Sequence, residues 1–236
     1  MKIPVLVYHS VNNNKSHINL EVINFEKQIN FLKRRGFETI SFDEIDNTKK
    51  KQIIITFDDG YKDLCYFVLP ILKKYNYKAT CFLVSNLIGK QNSWDSLRDD
   101  YVSKELMNTE NINEWINSGM NIGSHSHNHN DLTKLKKFDL ENDLEFSKKI
   151  LEDKFGQEIE NFCYPFGKVN KSVYEVVEKK FKRAVTINRS RYETNKHNFL
   201  LIPRIDMGKN LSIFKIFLKT ETFYEDIKFK QNELYL

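Results

Sequence analysis

Short apolar runs alternate with amphipathic segments along most of this chain. The run at residues 53–57 is continuous and rich in β-branched side chains, which is typical of a parallel strand buried on both faces. Other extended runs are predicted at residues 5–8, 37–42, 79–84, 121–123, 162–164, 184–187 and 200–202. Helical patterns separate them, so the sequence predicts an α/β protein with parallel strands inside and helices outside.

The amphipathic segments predict helix boundaries as well as buried faces. Phe25, Ile29 and Leu32 recur at helical spacing, with Asn24 as the predicted N-cap and Gly36 as the stop. Further predicted helices span residues 62–75 (kinked or divided at Pro70), 109–119 (capped by Thr109), 140–155, 173–181 and 212–218.

Residues 86–106 interrupt this alternation. The stretch is polar and irregular and contains Trp94, so it is predicted to be an insertion or a lid over a site. No Pro/Gly/Ser-rich linker or internal repeat divides the 236 residues, of which 40% are hydrophobic. We therefore expect one domain over residues 1–236, with enough apolar side chains for a sizeable core.

The charge pattern excludes some partners. The net charge is +5, but lysines and acids are interspersed, which is typical of a solvated surface and argues against a nucleic-acid partner. No apolar run has the length of a membrane span. The three cysteines are scattered without C-x-x-C spacing, which favours buried free thiols in a reducing compartment. Since no signal-peptide pattern is visible, a cytoplasmic location is expected.

Two motifs, each following an apolar run, concentrate the chemically active side chains. The first is TFDDG at residues 56–60, and the second is GSHSHNH at residues 123–129. Because the carboxyl ends of parallel strands meet at one rim, both motifs are expected at the same end of the sheet.

Asp59, His125 and His129 together offer one carboxylate and two imidazoles. Three protein ligands and one open position are typical of a catalytic zinc site. The two histidines share a face if the chain turns helically after the strand, and His127 then points elsewhere. Asp58 cannot easily point the same way as Asp59, so it is predicted to be a general base beside the metal.

Each motif alone has a simpler interpretation. Asp-Gly usually marks a turn, and a His-rich patch is often a solvated loop or an incidental metal binder. The two motifs in succession, each after a predicted strand, favour a metal site.

TFDDG followed by GSHSHNH resembles the polysaccharide deacetylases, carbohydrate esterase family four, with the NodB-homology fold. The similarity covers about residues 3–206 and includes VLVYHSV at 5–11 and YPFG at 164–167. It implies a distorted barrel of about seven β/α units. It also implies hydrolysis of an N-acetyl, less often an O-acetyl, group on a sugar.

The resemblance also assigns roles by position. It implies that Asp58 is the catalytic base and that Asp59, His125 and His129 bind one divalent ion. The ion is usually zinc, although cobalt, nickel or another divalent ion can serve.

One departure from the family pattern concerns the residue that orients the base. Members commonly carry Arg-x-Pro-Tyr, whose arginine orients the catalytic aspartate, whereas this chain has CYPF at 163–166. Arg204 is the candidate substitute, because its planar fork can hold Asp58 through both oxygens. A structural salt bridge between Arg204 and Asp206 is the open alternative.

A second departure concerns the general acid. The late Leu-x-His motif of many members is absent from the C-terminal part, but LVYH at 6–9 resembles the opening of a circularly permuted branch that includes poly-N-acetylglucosamine deacetylases. In a closed barrel the first strand can neighbour the last, so His9 is predicted to be the acid that protonates the leaving amine. A structural histidine at a strand end is the alternative.

Aromatic residues near the strand ends are candidates for contact with a sugar. They are Tyr61, Tyr164, Phe166 and Trp94, and each has core or ordinary surface as its alternative. A backbone N–H near Tyr164 is the candidate donor to a developing oxyanion.

The leading prediction is a metal-dependent hydrolase that removes an acetyl group from an N-acetylated sugar, glycan or sugar precursor in surface-glycan or cell-wall metabolism. An O-deacetylase or another amide hydrolase would use the same residues, and a catalytically silent carbohydrate-binding relative is a third alternative. The late apolar positions Ile213, Phe214, Phe217 and Leu218 are expected to close the barrel or to form a subunit contact. The oligomeric state stays open.

Overall fold

The computed structural model describes residues 2–14, 18–45, 51–96, 99 and 101–227. Its strands are β1 (Lys2–Ile3), β2 (Val5–Tyr8), β3 (Ser10–Val11), β4 (Asn19–Leu20), β5 (Phe37–Thr39), β6 (Lys51–Phe57), β7 (Thr80–Leu83), β8 (Asn121–Ser124), β9 (Asn161–Cys163), β10 (Arg183–Val185), β11 (Tyr192–Glu193) and β12 (Ile205–Asp206). Its helices are α1 (Val22–Arg34), α2 (Leu69–Tyr75), α3 (Thr109–Asn117), α4 (Lys137–Phe155), α5 (Lys171–Lys180), α6 (Ile213–Glu221) and α7 (Tyr224–Ile227).

A curled sheet of parallel strands forms the centre of the molecule. Its order is β10-β9-β8-β7-β6-β2-β12, and β5 pairs with the start of β6. Strand β6 is buried from Gln52 to Phe57, because its side chains meet the sheet interior on one face and helices on the other. The predicted α/β class with parallel strands is therefore confirmed.

Residues 202–206, here called the closing segment, join the two edges of this sheet. Ile202 forms a parallel bridge with Val185 at the end of β10, and β12 pairs with β2. Of the late apolar residues, Ile213 and Phe214 are exposed and Phe217 and Leu218 are half-buried, so α6 packs beside the sheet while the closing segment supplies the strand pairing.

Alternation along the strands creates two apolar layers, because successive side chains point to opposite faces. Leu6, Ile55 and Phe162 face the helices. The smaller inner layer fills the barrel and consists of Ile3, Val5, Phe42, Ile54, Phe82, Cys163, Val185, Tyr192 and Ile202.

The helices bury the faces predicted for them, but two caps differ. Helix α1 buries Phe25, Ile29 and Leu32 but starts at Val22, so Asn24 lies within its first turn and is not the cap. Helix α3 is capped by Asn108, whose side chain accepts from the Asn111 N–H in a capping box, and Thr109 is the first helical residue. In α3 the neighbouring residue thus supplies the cap, whereas in α1 the N-cap residue, Glu21, makes no side-chain cap hydrogen bond.

The predicted break at Pro70 is confirmed. A π-helical turn, Leu64–Val68, comes first, and Pro70 occupies the first turn of α2. Proline is tolerated there because the N–H groups of a first turn have no partner within the helix.

The described part of residues 86–106 lies across the turn that follows β6. The Met107 N–H donates to Gly60 O at 2.8 Å, and the Lys62 N–H donates to Glu105 O at 3.0 Å. Two 3₁₀ turns, Ser85–Leu87 and Ser93–Asp95, shape its first half. The segment is thus fastened by backbone hydrogen bonds to the rim of the barrel.

The predicted thiol state agrees with the structure, since Cys65, Cys81 and Cys163 are buried and free. In the part of the chain that the structure describes, no helix is both long and apolar enough to cross a bilayer.

Candidate active site

The chemically active side chains gather at the carboxyl ends of the parallel strands. His9 follows β2, Asp58 follows β6 and His125 follows β8. His9 is four positions after Val5, and Asp58 is four positions after Ile54. Because side chains alternate along a strand, His9 and Asp58 lie on the same inner face as those two residues, over the barrel interior. Alternation and parallel pairing together bring these distant positions to one place.

The turn after β6 separates the two carboxylates of TFDDG. The Asp58 N–H still donates to Tyr8 O at 3.0 Å, as if the strand continued. Asp59 and Gly60 then adopt φ values of 74° and 76°, which reverse the chain. Position 60 favours glycine, because its φ is in the left-handed region and a Cβ there would also lie 2.8 Å from Leu83 Cδ2. Asp58 and Asp59 therefore point to different partners.

Asp59, His125 and His129 form a compact, buried group of donor atoms. Asp59 Oδ1 lies 3.4 Å from His125 Nε2 and 3.3 Å from His129 Nε2. A tetrahedral ion with bonds of about 2.0–2.1 Å has ligand separations of about 3.3–3.4 Å. The three side chains therefore suit a divalent ion of that size.

The contacts of His125 support the same conclusion. Its Nδ1 lies 2.8 Å from the carbonyl oxygen of Cys163, a distance at which Nδ1–H donates and Nε2 keeps its lone pair for a metal. Asp58, His125 and Cys163 form a second group of possible ligands. Both oxygens of Asp58 are already bound by Arg204, so the Asp59 group is the better fit.

The loop between the two histidines is not the helical turn that the sequence predicted. Ser126 and His129 adopt left-handed conformations with φ values of 67° and 57°. His127 does point elsewhere, with Nδ1 2.8 Å from Ser85 Oγ. Its N–H donates to Asp143 Oδ1 at 2.8 Å, so α4 fixes the loop that carries both imidazoles.

Arg204 holds both oxygens of Asp58. Nη1 donates to Oδ1 and Nη2 to Oδ2, each at 2.7 Å, and the arginine side chain is 1% exposed. Burial opposes the charge of Asp58, but the guanidinium outweighs burial and holds the pKa of Asp58 below its usual range. The alternative pairing with Asp206 is not seen, because Asp206 is exposed and its Oδ1 accepts from the Gly208 N–H.

Cys163 contacts the guanidinium of Arg204, a contact that was not predicted from the sequence. It lies at the first position of CYPF, where relatives commonly carry the orienting arginine, and its Sγ is 3.3 Å from Arg204 Nη2. A small buried thiol there leaves room for a guanidinium that arrives from the closing segment. The CYPF departure itself was the signal that pointed to this arrangement.

His9 lies beside Asp58 on the open side of the site. Its Nε2 is 4.0 Å from Asp58 Oδ2, and its side chain is 40% exposed. The ring therefore reaches both the buried carboxylate and solvent.

The four predicted aromatic residues all border the pocket but differ in exposure. Tyr61 and Tyr164 are buried, and the Tyr164 hydroxyl donates to Leu200 O at 3.0 Å. Phe166 is exposed and packs edge-on against the His129 ring, while Trp94 stacks on that ring with centroids 4.3 Å apart. The Tyr164 N–H, considered for the oxyanion, donates instead to Val185 O.

The pocket over these groups holds about 250 Å³. Its wall also includes Ile18, Gly167 and Ile187, which the sequence analysis missed. Ile187 follows β10 at the rim, so its position could have been inferred from the strand end alone, whereas no pattern signals Ile18.

Comparisons with known proteins identify the family of this chain. The sequence profile described as polysaccharide deacetylase matches residues 45–184. The chain belongs to the polysaccharide deacetylase family.

Two curated relatives extend beyond the region of similarity. The protein YxkH of Bacillus subtilis is 30% identical over 185 residues, which are 75% of this chain and 61% of that protein. The poly-β-1,6-N-acetyl-D-glucosamine N-deacetylase of Staphylococcus aureus is 26% identical over 197 residues, 77% of this chain and 65% of that protein. The chain thus spans less than two thirds of the length of either relative.

Solved structures share the fold. The deacetylase PplD of Streptococcus pyogenes superposes with a TM-score of 0.81 at 23% identity, covering 94% of this chain and 99% of that one. IcaB from Ammonifex degensii gives a TM-score of 0.77 at 19% identity, with 87% and 91% covered. The predicted barrel of the NodB kind is confirmed.

Proposed function

We propose that this chain is a metal-dependent hydrolase that removes the acetyl group from an N-acetylated sugar. The observation that carries the proposal is the buried Asp58–Arg204 pair beside the Asp59–His125–His129 group. A carboxylate that is buried, charged and outside the ligand set is what a general base for the attack of water requires.

Asp59, His125 and His129 are the residues that would hold the ion. One carboxylate and two imidazoles match catalytic zinc sites, so zinc is the proposed metal. When bound, a divalent ion supplies Lewis-acid chemistry, polarising an acyl carbonyl and lowering the pKa of water.

Asp58 is the proposed base. The charge of Arg204 keeps Asp58 ionised at neutral pH, and the two parallel hydrogen bonds fix the direction of its carboxylate. As water attacks the acetyl carbon, Asp58 accepts its proton. Arg204 is a positioning residue in this scheme, because it acts through Asp58.

His9 is the proposed acid. When the carbon–nitrogen bond breaks, Nε2 of a protonated His9 delivers its proton to the leaving nitrogen, so that acetate and a free amine are formed. Partial exposure lets the ring recover a proton from solvent. An amine leaves poorly without that proton, which is why an acid is needed in addition to Asp58.

Phe166 and Trp94 are the proposed sugar contacts, since both present ring surface around the pocket. The buried Tyr61 and Tyr164 would instead support the wall from behind. We propose that residues 1–236 act as one catalytic domain, with residues 86–106 closing one side. Three buried free cysteines support a cytoplasmic location.

The substrate proposal is an N-acetylated glycan or its precursor. A curated relative is named for poly-β-1,6-N-acetyl-D-glucosamine, so a β-1,6-linked N-acetylglucosamine oligomer is the first compound to test. Metal-stripped protein is titrated with zinc, and acetate release from the oligomer and from an O-acetylated xylan is measured. We expect one bound zinc per chain and acetate from the oligomer.

Variants separate this proposal from its alternatives. His125→Ala should lose zinc and activity together, whereas His127→Ala is the matched control, because its ring contacts Ser85 rather than Asp59. Zinc and oligomer binding without acetate release would support a silent carbohydrate-binding relative. Acetate from the xylan alone would support an O-deacetylase.

A further inference from the structure

Lys104 is a nearly buried lysine at the centre of a polar cluster beside the proposed acid. Its side chain is 9% exposed, and that of Asp63 is 15% exposed. A charge withdrawn this far from water needs compensation. The compensating side chains are Ser10, Asn19 and Asp63, each of which offers an oxygen to Lys104 Nζ.

The cluster fixes the backbone next to His9. Ser10 is 1% exposed, and its hydroxyl donates to Asp63 Oδ2 while it accepts from Lys104 Nζ. Asn12 Nδ2 donates to the same carboxylate oxygen at 2.6 Å. Because Ser10 directly follows His9, these bonds set the position from which the imidazole projects.

The same lysine fastens the segment that carries Trp94. The backbone N–H of Lys104 donates to Asn92 Oδ1 at 2.7 Å, and Asn92 lies two residues before Trp94. Its Nζ also lies 5.5 Å from the centroid of the Tyr61 ring, in the turn that follows the two aspartates. Lys104 therefore connects the strand end of His9, the TFDDG turn and the segment over the pocket.

We propose that Lys104 and Asp63 are positioning residues that hold His9 against Asp58. The inference rests on the proposed function, in which His9 is the acid. The His9 ring is 40% exposed and 4.0 Å from Asp58, so its own contacts fix it weakly. The buried cluster one residue away supplies the restraint.

Two substrates that differ only in their need for an acid test this proposal. The amine of an N-acetylated sugar must be protonated to leave, whereas the 4-nitrophenolate of 4-nitrophenyl acetate leaves without a proton. We expect His9→Ala to slow acetate release from the β-1,6-linked oligomer about 100-fold and to spare the ester. Lys104→Met and Asp63→Asn should show the same split with an amide loss of about 10-fold, as misplacement rather than removal of the acid predicts.

Control variants guard against loss of the fold. Lys62→Met removes a lysine that pairs with Glu105 of the same segment on the exposed surface, and it should change neither rate. Ser10→Ala, which removes only one hydroxyl, should show the split in milder form. Zinc stoichiometry and the melting temperature of each variant show whether the barrel and metal site are intact.

The outcomes distinguish the acid role of His9 from the positioning role of Lys104 and Asp63. If His9→Ala slows both substrates equally, the acid role in the proposed function is wrong, and this inference is wrong with it. If His9→Ala shows the split but folded Lys104→Met and Ser10→Ala do not, the acid role stands and the positioning role is rejected. The same split in all of them supports both.

Discussion

On the base side of the site, the side chains of Asp58 and Arg204 are 5% and 1% exposed and lie 2.7 Å apart. On the acid side, His9 is 40% exposed and lies 4.0 Å from its nearest carboxylate oxygen. In the proposed mechanism Asp58 is an anion before each turnover and takes up a proton only transiently, so a buried counter-ion can hold its resting state. The proposed acid, His9, must regain a proton from solvent in each catalytic cycle. Its ring is therefore exposed to water and is positioned by neighbouring residues. The comparison predicts that stability and activity are coupled on one side only.

The largest expected effect is on turnover in Asp58→Asn. Without the carboxylate no group accepts the proton of the attacking water, so acetate release should fall about 1000-fold, while zinc stoichiometry stays at that of the unmodified protein. Acetate release from the oligomer measures this. Asp206→Asn is the matched control, since that exposed carboxylate contacts Gly208 rather than Arg204. Near-normal turnover in Asp58→Asn would remove Asp58 from the mechanism.

The next effect is on stability in Arg204→Met. Removing the cation leaves a buried carboxylate without compensation, so metal-stripped protein should lose about 3–5 kcal/mol of unfolding free energy at neutral pH, as measured by urea titration. Arg35→Met, which breaks an exposed pair with Glu221, should cost little.

The pH dependence sharpens that result. In the unmodified protein the pKa of Asp58 lies below its unfolded value of about 3.9, so the stabilisation is complete above that value and is lost as the pH falls through the folded pKa. In Arg204→Met the guanidinium no longer opposes burial, so the pKa of Asp58 rises. The difference in unfolding free energy between Arg204→Met and the unmodified protein should therefore shrink as the pH falls towards about 4. If the loss of unfolding free energy in Arg204→Met did not depend on pH, lost packing rather than an uncompensated charge would be its cause.

The smallest expected effect on stability is in His9→Ala. Because the ring is 40% exposed, the unfolding free energy should change by no more than about 0.5 kcal/mol, while amide turnover falls about 100-fold. His197→Ala, in the turn after β11, should leave turnover unchanged. Equal losses of stability in His9→Ala and Arg204→Met would erase the contrast between the two sides.

Much of this arrangement was predictable from local pattern. Continuous apolar runs located the strands of the central sheet, and parallel pairing brings the residues that follow them to one rim. The period of two along a strand would also have placed Asp58 and His9 on the inner face, since both continue the parity of buried inward positions. The roles assigned to these residues remain predictions.

Other features left no local signal. The loop from His125 to His129 departs from a helical turn because Ser126 and His129 adopt left-handed conformations. Neither serine nor histidine is a residue type from which that conformation would be predicted. The closing segment pairs through one isolated bridge and a two-residue strand. The extended run predicted at 200–202 includes its first residue, but Ile205–Asp206 is too short to show an apolar period. Helix α6 has a clearer apolar pattern but leaves Ile213 and Phe214 exposed, so its pattern does not identify the segment that pairs with both edges of the sheet.

The position of Arg204 in the closing segment also bears on how the chain assembles. Arg204 and Asp58 are 146 positions apart, and contacts between such distant residues form only after the loss of chain entropy on closing the loop has been offset. The carboxylate therefore gains its counter-ion late, when residues 202–206 dock between β10 and β2. In a partly folded chain the TFDDG turn would lack the guanidinium that orients Asp58, so the proposed base would be held in place only once the barrel is complete.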